Sequence, residues 1–235
     1  MIITIDGPAG SGKSTAARKL AALLGIPYLD TGAMYRVVTL AALEGGIDLN
    51  DEAALTRLAG QADFELDCGP THVRVRLGGR DVSEAIRSMR VNRYTRYVAG
   101  SPGVRRILVA RQRELGRRLG SLVTEGRDQG SVAFPDADFK FFLDASLDKR
   151  AERRLLELRA DGEDVTLEQV RANLEERDRT DSQRAVAPLT VPPDAVVIDT
   201  TELSISQVLA RLVEVLRQGG VAIPPELPDG SDQRS

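Results

Sequence analysis

The stretch Gly7-Pro8-Ala9-Gly10-Ser11-Gly12-Lys13-Ser14 matches the pattern G-x-x-x-x-G-K-[ST] at every position. An apolar run at residues 2–5 precedes it, and a helical pattern from Lys13 to Leu24 follows. Its three glycines permit backbone angles at which successive N–H groups point into one concavity, and the helix start adds unpaired donors. This order of strand, loop and helix predicts a phosphate-binding P-loop.

The residues of this loop have distinct expected roles toward a nucleoside triphosphate. The backbone of residues 7–14, extended to Thr15, is expected to hold the phosphates. Lys13 would reach the β- and γ-phosphates, and the Ser14 hydroxyl would bind Mg²⁺. The alternative is a glycine turn without a ligand, which the complete motif in its strand–helix context disfavours.

Composition excludes several other classes of protein. The 235 residues suit one domain with an elaboration, and the formal net charge of −3 argues against a nucleic-acid-binding protein. The single cysteine, Cys68, excludes an internal disulfide, and the single histidine, His72, excludes a histidine-rich metal site. Because neither a signal peptide nor a membrane span is predicted, we expect a cytoplasmic protein that does not bind membranes, and we expect a monomer.

Five strand-like segments alternate with helical patterns, which predicts a three-layer α/β domain with a five-stranded parallel sheet. The segments are residues 2–5, 28–30, 122–125, 139–143 and 195–198. Helix N-caps are expected at Thr31, Ser101, Thr166 and Ser204, and a further helical stretch is expected to begin at Ser83. Residues 223–235 contain three prolines and mostly polar side chains, and we expect a disordered tail there.

Between residues 64 and 82 the hydrophobic period changes to two. This change predicts a small antiparallel sheet of about three strands, with turns at Gly69-Pro70 and Gly78-Gly79. Such an insertion either decorates the fold or covers a substrate, and the residues alone favour neither interpretation.

Charged residues follow one of the buried strands. Arg127 and Asp128 follow the segment at 122–125 after one glycine, Gly126. Ligands of open parallel sheets bind beyond the carboxyl ends of the strands, so these two side chains are candidates for a binding site. A local salt bridge between them is the alternative interpretation.

Two further clusters of charge lie on predicted helices. Arg150, Arg153 and Arg154 share one helix face, and they either close over phosphates as a helical lid or form a solvated face. Later in the chain, two cations flank a carboxylate at positions i, i+4 and i+7, namely Arg177, Asp181 and Arg184.

The P-loop alone leaves the reaction open between a small-molecule kinase, a GTPase and an ATP-driven motor. A GTPase should carry an N-K-x-D motif, which is absent, and Leu143-Asp144 lacks the second acid expected of a motor. A kinase for a phosphorylated acceptor should carry scattered arginines near strand ends. Of the 32 cationic residues 28 are arginines, whose planar fork suits phosphate, although genome composition is the alternative explanation.

Five further stretches resemble the bacterial cytidylate (CMP) kinase family. They are LDTGAMYR at 29–36, EGRD at 125–128, FPDA at 134–137, FLDAS at 142–146 and RAVAPL at 184–189. The resemblance extends from Met1 to about Arg217 and implies transfer of a phosphoryl group from ATP, with Mg²⁺, to CMP or dCMP. It also implies a core (1–60, 101–146 and 180–222), an acceptor-binding insertion (about 61–100) and a mobile lid (about 147–179).

The resemblance further implies a role for each matching residue. Thr31, Tyr35 and Asp181 would face the ribose with Arg177 nearby, and Arg36 and Arg127 would hold the acceptor phosphate. Asp128, Arg105 and Arg184 would read the cytosine edge, because cytosine presents an amino donor where uracil presents a carbonyl. Catalysis would depend on positioning and charge neutralisation by Lys13, Arg127, Arg150 and Arg153, and Glu125 is a candidate to orient the metal.

Two positions depart from the family pattern. The family often has Gly-Arg-Asp-Met-Gly, whereas this chain has Gln129 after Asp128, and Arg96 stands where some members use a small hydroxyl residue near the base. The strength of discrimination against UMP therefore stays open. The alternatives are a kinase of UMP or of a non-nucleotide acceptor such as shikimate, and a switch that binds ATP without an acceptor. The charged residues at 128 and 181–184 argue against another acceptor.

Overall fold

The structure is a computed structural model that describes residues 1–160 and 162–223. Its strands are β1 (Ile2–Asp6), β2 (Tyr28–Asp30), β3 (Phe64–Cys68), β4 (Val73–Leu77), β5 (Arg80–Asp81), β6 (Leu122–Gly126), β7 (Phe139–Asp144) and β8 (Val196–Asp199). Its α-helices are α1 (Lys13–Leu24), α2 (Thr31–Glu44), α3 (Glu52–Gln61), α4 (Met89–Gly100), α5 (Pro102–Leu119), α6 (Leu147–Ala160), α7 (Leu167–Ser182) and α8 (Ile205–Gln218).

The main sheet has five parallel strands in the order β2-β6-β1-β7-β8. The predicted five-stranded parallel sheet is confirmed, and each strand agrees with its predicted segment to within one residue. Helices α1 and α8 pack on one face through residues such as Leu20 and Leu212. Helices α2, α3 and α5 cover the other face, around Leu29 and Leu122, which completes the three layers.

The predicted antiparallel insertion is also confirmed. Strands β3, β4 and β5 form a separate three-stranded sheet, in which Phe64 pairs with Leu77. The turn between β4 and β5 uses Gly78 and Gly79, both with positive φ. This small sheet packs against α2 through buried side chains that include Val75 and Val37, so the insertion is attached to the helix that follows β2.

Two expectations about helix starts were wrong. Asp30, not Thr31, is the N-cap of α2, because the chain is still extended at Asp30 and its carboxylate accepts the N–H of Ala33 at 3.0 Å. Ser83 does not begin a helix, because its hydroxyl accepts the N–H of Val75 and so completes the edge of the small sheet. A 3₁₀ turn at Ala85–Arg87 follows, and α4 begins only at Met89.

The expected caps Ser101, Thr166 and Ser204 are confirmed, each accepting an N–H of the first helical turn. At the end of the described chain, Ile223 packs against the core beside α1 and α8. The rest of the predicted disordered tail, residues 224–235, lies outside the described residues. Among the helices of the described chain, none combines the length and the hydropathy that crossing a membrane requires.

Candidate active site

The loop at residues 7–14 joins β1 to α1 and has positive φ at each of its three glycines. Gly7 has φ +147°, and a Cβ there would lie 2.0 Å from the carbonyl oxygen of Leu143. Gly10 packs against Arg150, where a Cβ would lie 3.1 Å from the arginine Cβ. The loop conformation therefore requires glycine at position 7 for both backbone and contact reasons.

Lys13 lies inside the concavity of this loop. Its side chain is buried, and Nζ donates to the carbonyl oxygen of Pro8 at 2.8 Å. Burial, together with the nearby charge of Arg127, lowers the pKa of Lys13 to about 7. The ammonium group is therefore held at the loop by a single backbone oxygen, in surroundings that favour an added negative charge.

Ser14 and Glu125 connect the start of α1 to the end of β6. The Ser14 hydroxyl donates to Glu125 Oε1 at 2.9 Å, and Tyr28 donates to the same oxygen at 3.3 Å. Burial and the charge of Glu125 raise the pKa of the Tyr28 phenol. These groups line a cavity of about 110 Å³ whose other lining residues are Arg18, Asp30, Arg36 and Arg87.

The hydroxyl and carboxylate oxygens in this cavity suit Mg²⁺, which prefers oxygen ligands. Across residues 1–160 and 162–223, no group of three or more His, Cys, Asp and Glu side chains is arranged to hold a metal ion. This donor set fits magnesium as kinases use it, because their Mg²⁺ takes one or two protein oxygens and completes its shell with phosphates and water.

Asp30 holds two arginines at the end of β2. Its Oδ2 lies 2.6 Å from Arg36 and 3.3 Å from Arg87, which ends the 3₁₀ turn Ala85–Arg87 after the small sheet. Burial alone would raise the pKa of Asp30, but the charges of Arg36 and Arg87 lower it below its usual value. Of these three residues, only Arg36 was predicted from the sequence. Asp30 could have been predicted from its position six residues before Arg36, whereas no neighbouring sequence feature indicated Arg87.

A second carboxylate, Asp181 at the end of α7, also binds two arginines. Arg127 Nε lies 2.7 Å from Asp181 Oδ2, and Arg184 donates to Oδ1. Burial would raise the pKa of Asp181, but the charges of Arg127, Arg184 and Arg177 lower it below its usual value. The structure thus brings Arg127, from the turn after β6, to the predicted cluster of Arg177, Asp181 and Arg184, in which Arg177 is exposed on α7.

A third ion pair joins α5 to the turn after β6. Arg105 Nη2 lies 2.5 Å from Asp128 Oδ2, and both side chains are almost fully buried. The guanidinium also lies 5.4 Å from the ring centre of Tyr35, and its Nη1 donates to the carbonyl of Ala99. Thr31, the remaining predicted ribose contact, donates its hydroxyl to the carbonyl of Glu125 at 2.8 Å.

The two departures from the family pattern have different surroundings. Gln129 is buried, accepts from the Thr124 hydroxyl at 3.1 Å and donates to Gln112 at 3.4 Å, so it forms a polar bridge that a methionine could not form. Arg96 is exposed on α4, where it donates to the hydroxyl of Tyr97 and stacks 5.0 Å from that ring centre.

The three arginines of α6 do not converge on one point in this structure. Arg150 is buried and donates to the P-loop carbonyl of Ala9 at 3.1 Å while pairing with Asp178 of α7 at 2.7 Å. Arg153 donates to the Thr200 hydroxyl and to carbonyls of the loop between β8 and α8. Arg154 pairs with Glu157 on the same helix at 2.7 Å.

One buried carboxylate beside the loop was not predicted from the sequence. Asp6 ends β1, is fully buried, and accepts the N–H groups of Gln129 and Gly130 at 2.8 and 2.7 Å. Its place immediately before the P-loop was visible in the sequence. Its partners were not, because they lie more than 120 residues away.

A sequence profile of the family described as "Cytidylate kinase" matches residues 3–218. Over 216 residues the chain is 47% identical to "Cytidylate kinase" from Caldanaerobacter subterraneus subsp. tengcongensis, covering 92% of this chain and 94% of that protein. Over 223 residues it is 47% identical to "Cytidylate kinase" from Pseudomonas savastanoi pv. phaseolicola, covering 94% and 97% of the two chains.

Other relatives are longer. The chain is 50% identical over 220 residues to "Bifunctional pantoate ligase/cytidylate kinase" from a Synechococcus species, covering 92% of this chain and 40% of that protein. It therefore spans about two fifths of the length of such bifunctional relatives. Among solved structures, an uncharacterized protein from Eubacterium ventriosum has a TM-score of 0.50 at 12% identity, covering 92% of this chain and 98% of that one, which is a likeness of fold.

Proposed function

Because this chain belongs to the cytidylate kinase family, we propose that it transfers the γ-phosphoryl group of ATP to CMP or dCMP, producing ADP and CDP or dCDP. The observation that carries this proposal is the pairing of β1 with β6, in which Asp6 lies opposite Gly126. This register makes the P-loop, which starts at Gly7, a neighbour of Arg127 and Asp128. A triphosphate-binding loop and a group of arginine–carboxylate pairs therefore share one edge of the sheet.

On the donor side, we assign the β- and γ-phosphates to the loop amides and Lys13. Phosphoryl transfer needs positioning and charge neutralisation more than covalent chemistry, and a buried ammonium supplies both. The Ser14 hydroxyl would hold Mg²⁺, and Glu125 would orient that hydroxyl through the 2.9 Å hydrogen bond. When bound, the metal ion supplies positive charge to the phosphate oxygens.

On the acceptor side, Arg36 and Arg127 would hold the phosphate of the nucleoside monophosphate. Each arginine is already oriented by a carboxylate, Asp30 or Asp181, yet each guanidinium has five donors and keeps several for a ligand. The buried Nε of Arg36 has no hydrogen-bond partner, which supports a ligand there. The acceptor phosphate is largely ionised near neutral pH, so no separate general base is required.

The Arg105–Asp128 pair is suited to reading cytosine. Asp128 uses Oδ2 for Arg105, and its Oδ1 can accept from the amino group of cytosine. The Nε atoms of Arg105 and Arg184 are buried without partners and can donate to the ring acceptors. UMP would present a carbonyl to the carboxylate, and an unpaired buried polar group is costly. Thr31, Tyr35, Asp181 and Arg177 would then lie around the ribose.

For the remaining parts of the molecule, we propose residues about 61–100 as the acceptor-binding insertion and residues about 147–179 as the lid, with the core formed by 1–60, 101–146 and 180–222. Contact of Arg150 with the P-loop supports a lid that closes over the phosphates. Arg153 would first have to leave the carbonyls after β8. We further propose that the protein acts in the cytoplasm as a monomer, on nucleotides rather than nucleic acids.

The decisive experiment measures ADP release from Mg-ATP with CMP, dCMP, UMP or AMP added singly. Fast turnover with CMP and dCMP alone is the expected result. Equal turnover with UMP would remove the assigned base recognition, whereas slow ATP hydrolysis unaffected by any monophosphate would favour a nucleotide-dependent switch. A phosphorylation product analysis by chromatography identifies the diphosphate formed.

A further inference from the structure

Asp6 links the P-loop, on the donor side of the candidate site, to the turn after β6, on the acceptor side. It is the last residue of β1, and the P-loop begins with the next residue. Its Oδ1 accepts the N–H of Gln129 at 2.8 Å, and its Oδ2 accepts the N–H of Gly130 at 2.7 Å. These two amides open the π-helical turn Gln129–Ala133, directly after Arg127 and Asp128.

The turn Gln129–Ala133 also packs closely against β1 near Asp6. A Cβ on Gly130 would lie 2.9 Å from the hydroxyl oxygen of Thr4, so the backbone of the turn approaches the strand as closely as glycine allows. The ladder between β1 and β6 ends with the pairing of Asp6 and Gly126. Beyond that pairing, the two hydrogen bonds of the Asp6 side chain join the acceptor-side turn to β1, in addition to the packing of the turn against Thr4 and Ile2.

A carboxylate in this position is costly to bury, which indicates a specific requirement for it. Burial raises the pKa of Asp6 to about 6, although the hydrogen bonds from the amides of Gly130 and Gln129 lower it. The nearby charge of Asp128 raises this pKa further, and the charge of Lys13 lowers it. Only a carboxylate of this length offers two acceptor oxygens to two neighbouring N–H groups. Asparagine has the same shape but would direct an N–H₂ donor at one of those amides.

We propose that Asp6 is a positioning residue, which fixes the acceptor-side turn relative to the P-loop and so aligns the acceptor phosphate with the γ-phosphate. The inference rests on the proposed function. Among the described residues, the Asp6 side chain forms no hydrogen bond or ion pair with Arg127 or Asp128, but it holds the backbone that follows them. A displacement of about 1 Å between reacting groups can lower the rate about 10²-fold, so a residue acting only through the backbone can still affect kcat strongly.

The test compares Asp6→Asn with Asp138→Asn. Asp138 is a matched control because its Oδ2 accepts the N–H of Ile2 at 2.7 Å, at the other end of the same strand. For Asp6→Asn we expect kcat to fall about 10- to 100-fold with a raised KM for CMP, and KM for ATP within about twofold of the wild type. The Asp138→Asn variant is expected to keep all three constants. Unchanged kcat in Asp6→Asn, or equal losses in both variants that follow their melting temperatures, would overturn the proposal.

A measurement on the wild-type protein does not depend on either variant. The amide ¹H and ¹⁵N shifts of Gln129 and Gly130, followed from pH 4.5 to 8 without nucleotide, should both report one ionisation near 6. Amide shifts that do not titrate in this range would overturn the attachment of the turn by Asp6. The same holds if the shifts titrate unchanged in folded Asp6→Asn, because Lys13 or Asp128 would then cause them. If the wild type fails to phosphorylate CMP while these amides titrate as expected, the proposed function fails and the Asp6 attachment stands.

Discussion

The donor half of the candidate site is one continuous loop, residues 7–14, whereas the acceptor half is assembled from β2, α2, α5, the turn after β6 and α7. The loop is shaped by its backbone and contains one buried cation, Lys13, against a carbonyl oxygen. The acceptor half is shaped by side chains, in pairs that join arginines to Asp30, Asp181 and Asp128.

This difference has an energetic consequence. In the acceptor half, three carboxylates pair with five arginines before any ligand arrives. Each of these arginines is therefore oriented by an anion and is not an isolated buried cation, and the excess of positive charge remains for a ligand. Lys13 has no carboxylate partner within hydrogen-bond distance among the described residues, and its pKa is lowered to about 7. We therefore expect the donor half to respond to its ligand by changing protonation, and the acceptor half by exchanging partners.

The largest expected effect comes from removing the donor cation. Lys13→Ala should lower kcat about 10²- to 10³-fold, because it removes a preorganised charge from the transferring phosphoryl group, and should leave CMP affinity nearly unchanged. Steady-state kinetics and calorimetric CMP binding measure the two effects. Lys19→Ala, an exposed lysine of the same helix, is the control and should behave as the wild type. Turnover of Lys13→Ala within threefold of the wild type would contradict the assigned role.

On the acceptor side, Asp128→Asn should lower the preference for CMP over UMP about 10- to 100-fold, because it replaces an acceptor for the cytosine amino group. The measurement is the ratio of kcat/KM for the two substrates, which is insensitive to the fraction of folded enzyme. The ratio is chosen because Asp128→Asn would leave Arg105 buried without its anion. Breaking a buried ion pair lowers the free energy of unfolding by about 3–5 kcal/mol. Asp194→Asn removes an exposed carboxylate and should leave the ratio unchanged. If Asp128 does not read the base, Asp128→Asn would also leave the ratio unchanged, and the assigned role would be wrong.

The next effect concerns the proposed lid and should be smaller. Arg150→Ala should lower kcat about tenfold or more, because Arg150 joins the P-loop carbonyl of Ala9 to Asp178 of α7. Arg154→Ala, on the same helix but paired only with Glu157, is the matched variant and should stay within twofold of the wild type. Similar losses in both variants would show that the helix, rather than the Arg150 contact, is responsible.

The smallest expected effect is the uptake of a proton when ATP binds. Lys13 has a pKa of about 7 in the free protein, and a bound triphosphate should raise it because negative charge favours the ammonium form. At pH 8 ATP binding should therefore take up close to one proton, and at pH 6 Lys13 should contribute almost none. Calorimetry in buffers of different ionisation enthalpy measures the uptake, and Lys13→Arg should abolish it. Proton uptake retained in Lys13→Arg would assign it to another group.

The sequence predicted the donor half well and the acceptor half incompletely. The strands, the antiparallel insertion and the P-loop helix were confirmed, because hydrophobic period and glycine placement act over a few residues. Thr31 and Asp30 are both suitable cap residues, and the end of β2 decided between them. Arg36, Arg105, Arg127 and Arg184 were named from the sequence, and their proposed roles stay predictions. Arg87 and Asp6 were not named, since each makes its contact with a distant segment.

Local patterns along the chain were thus sufficient for the fold class, the P-loop and most helix caps. Folding in three dimensions was needed to decide which carboxylate faces which arginine, and to bring Asp6 to Gly130 across 124 residues of sequence. The physical reason is the short range of the interactions. A hydrogen bond requires atoms within about 3 Å, and the packing of whole helices and strands against one another determines separations on that scale.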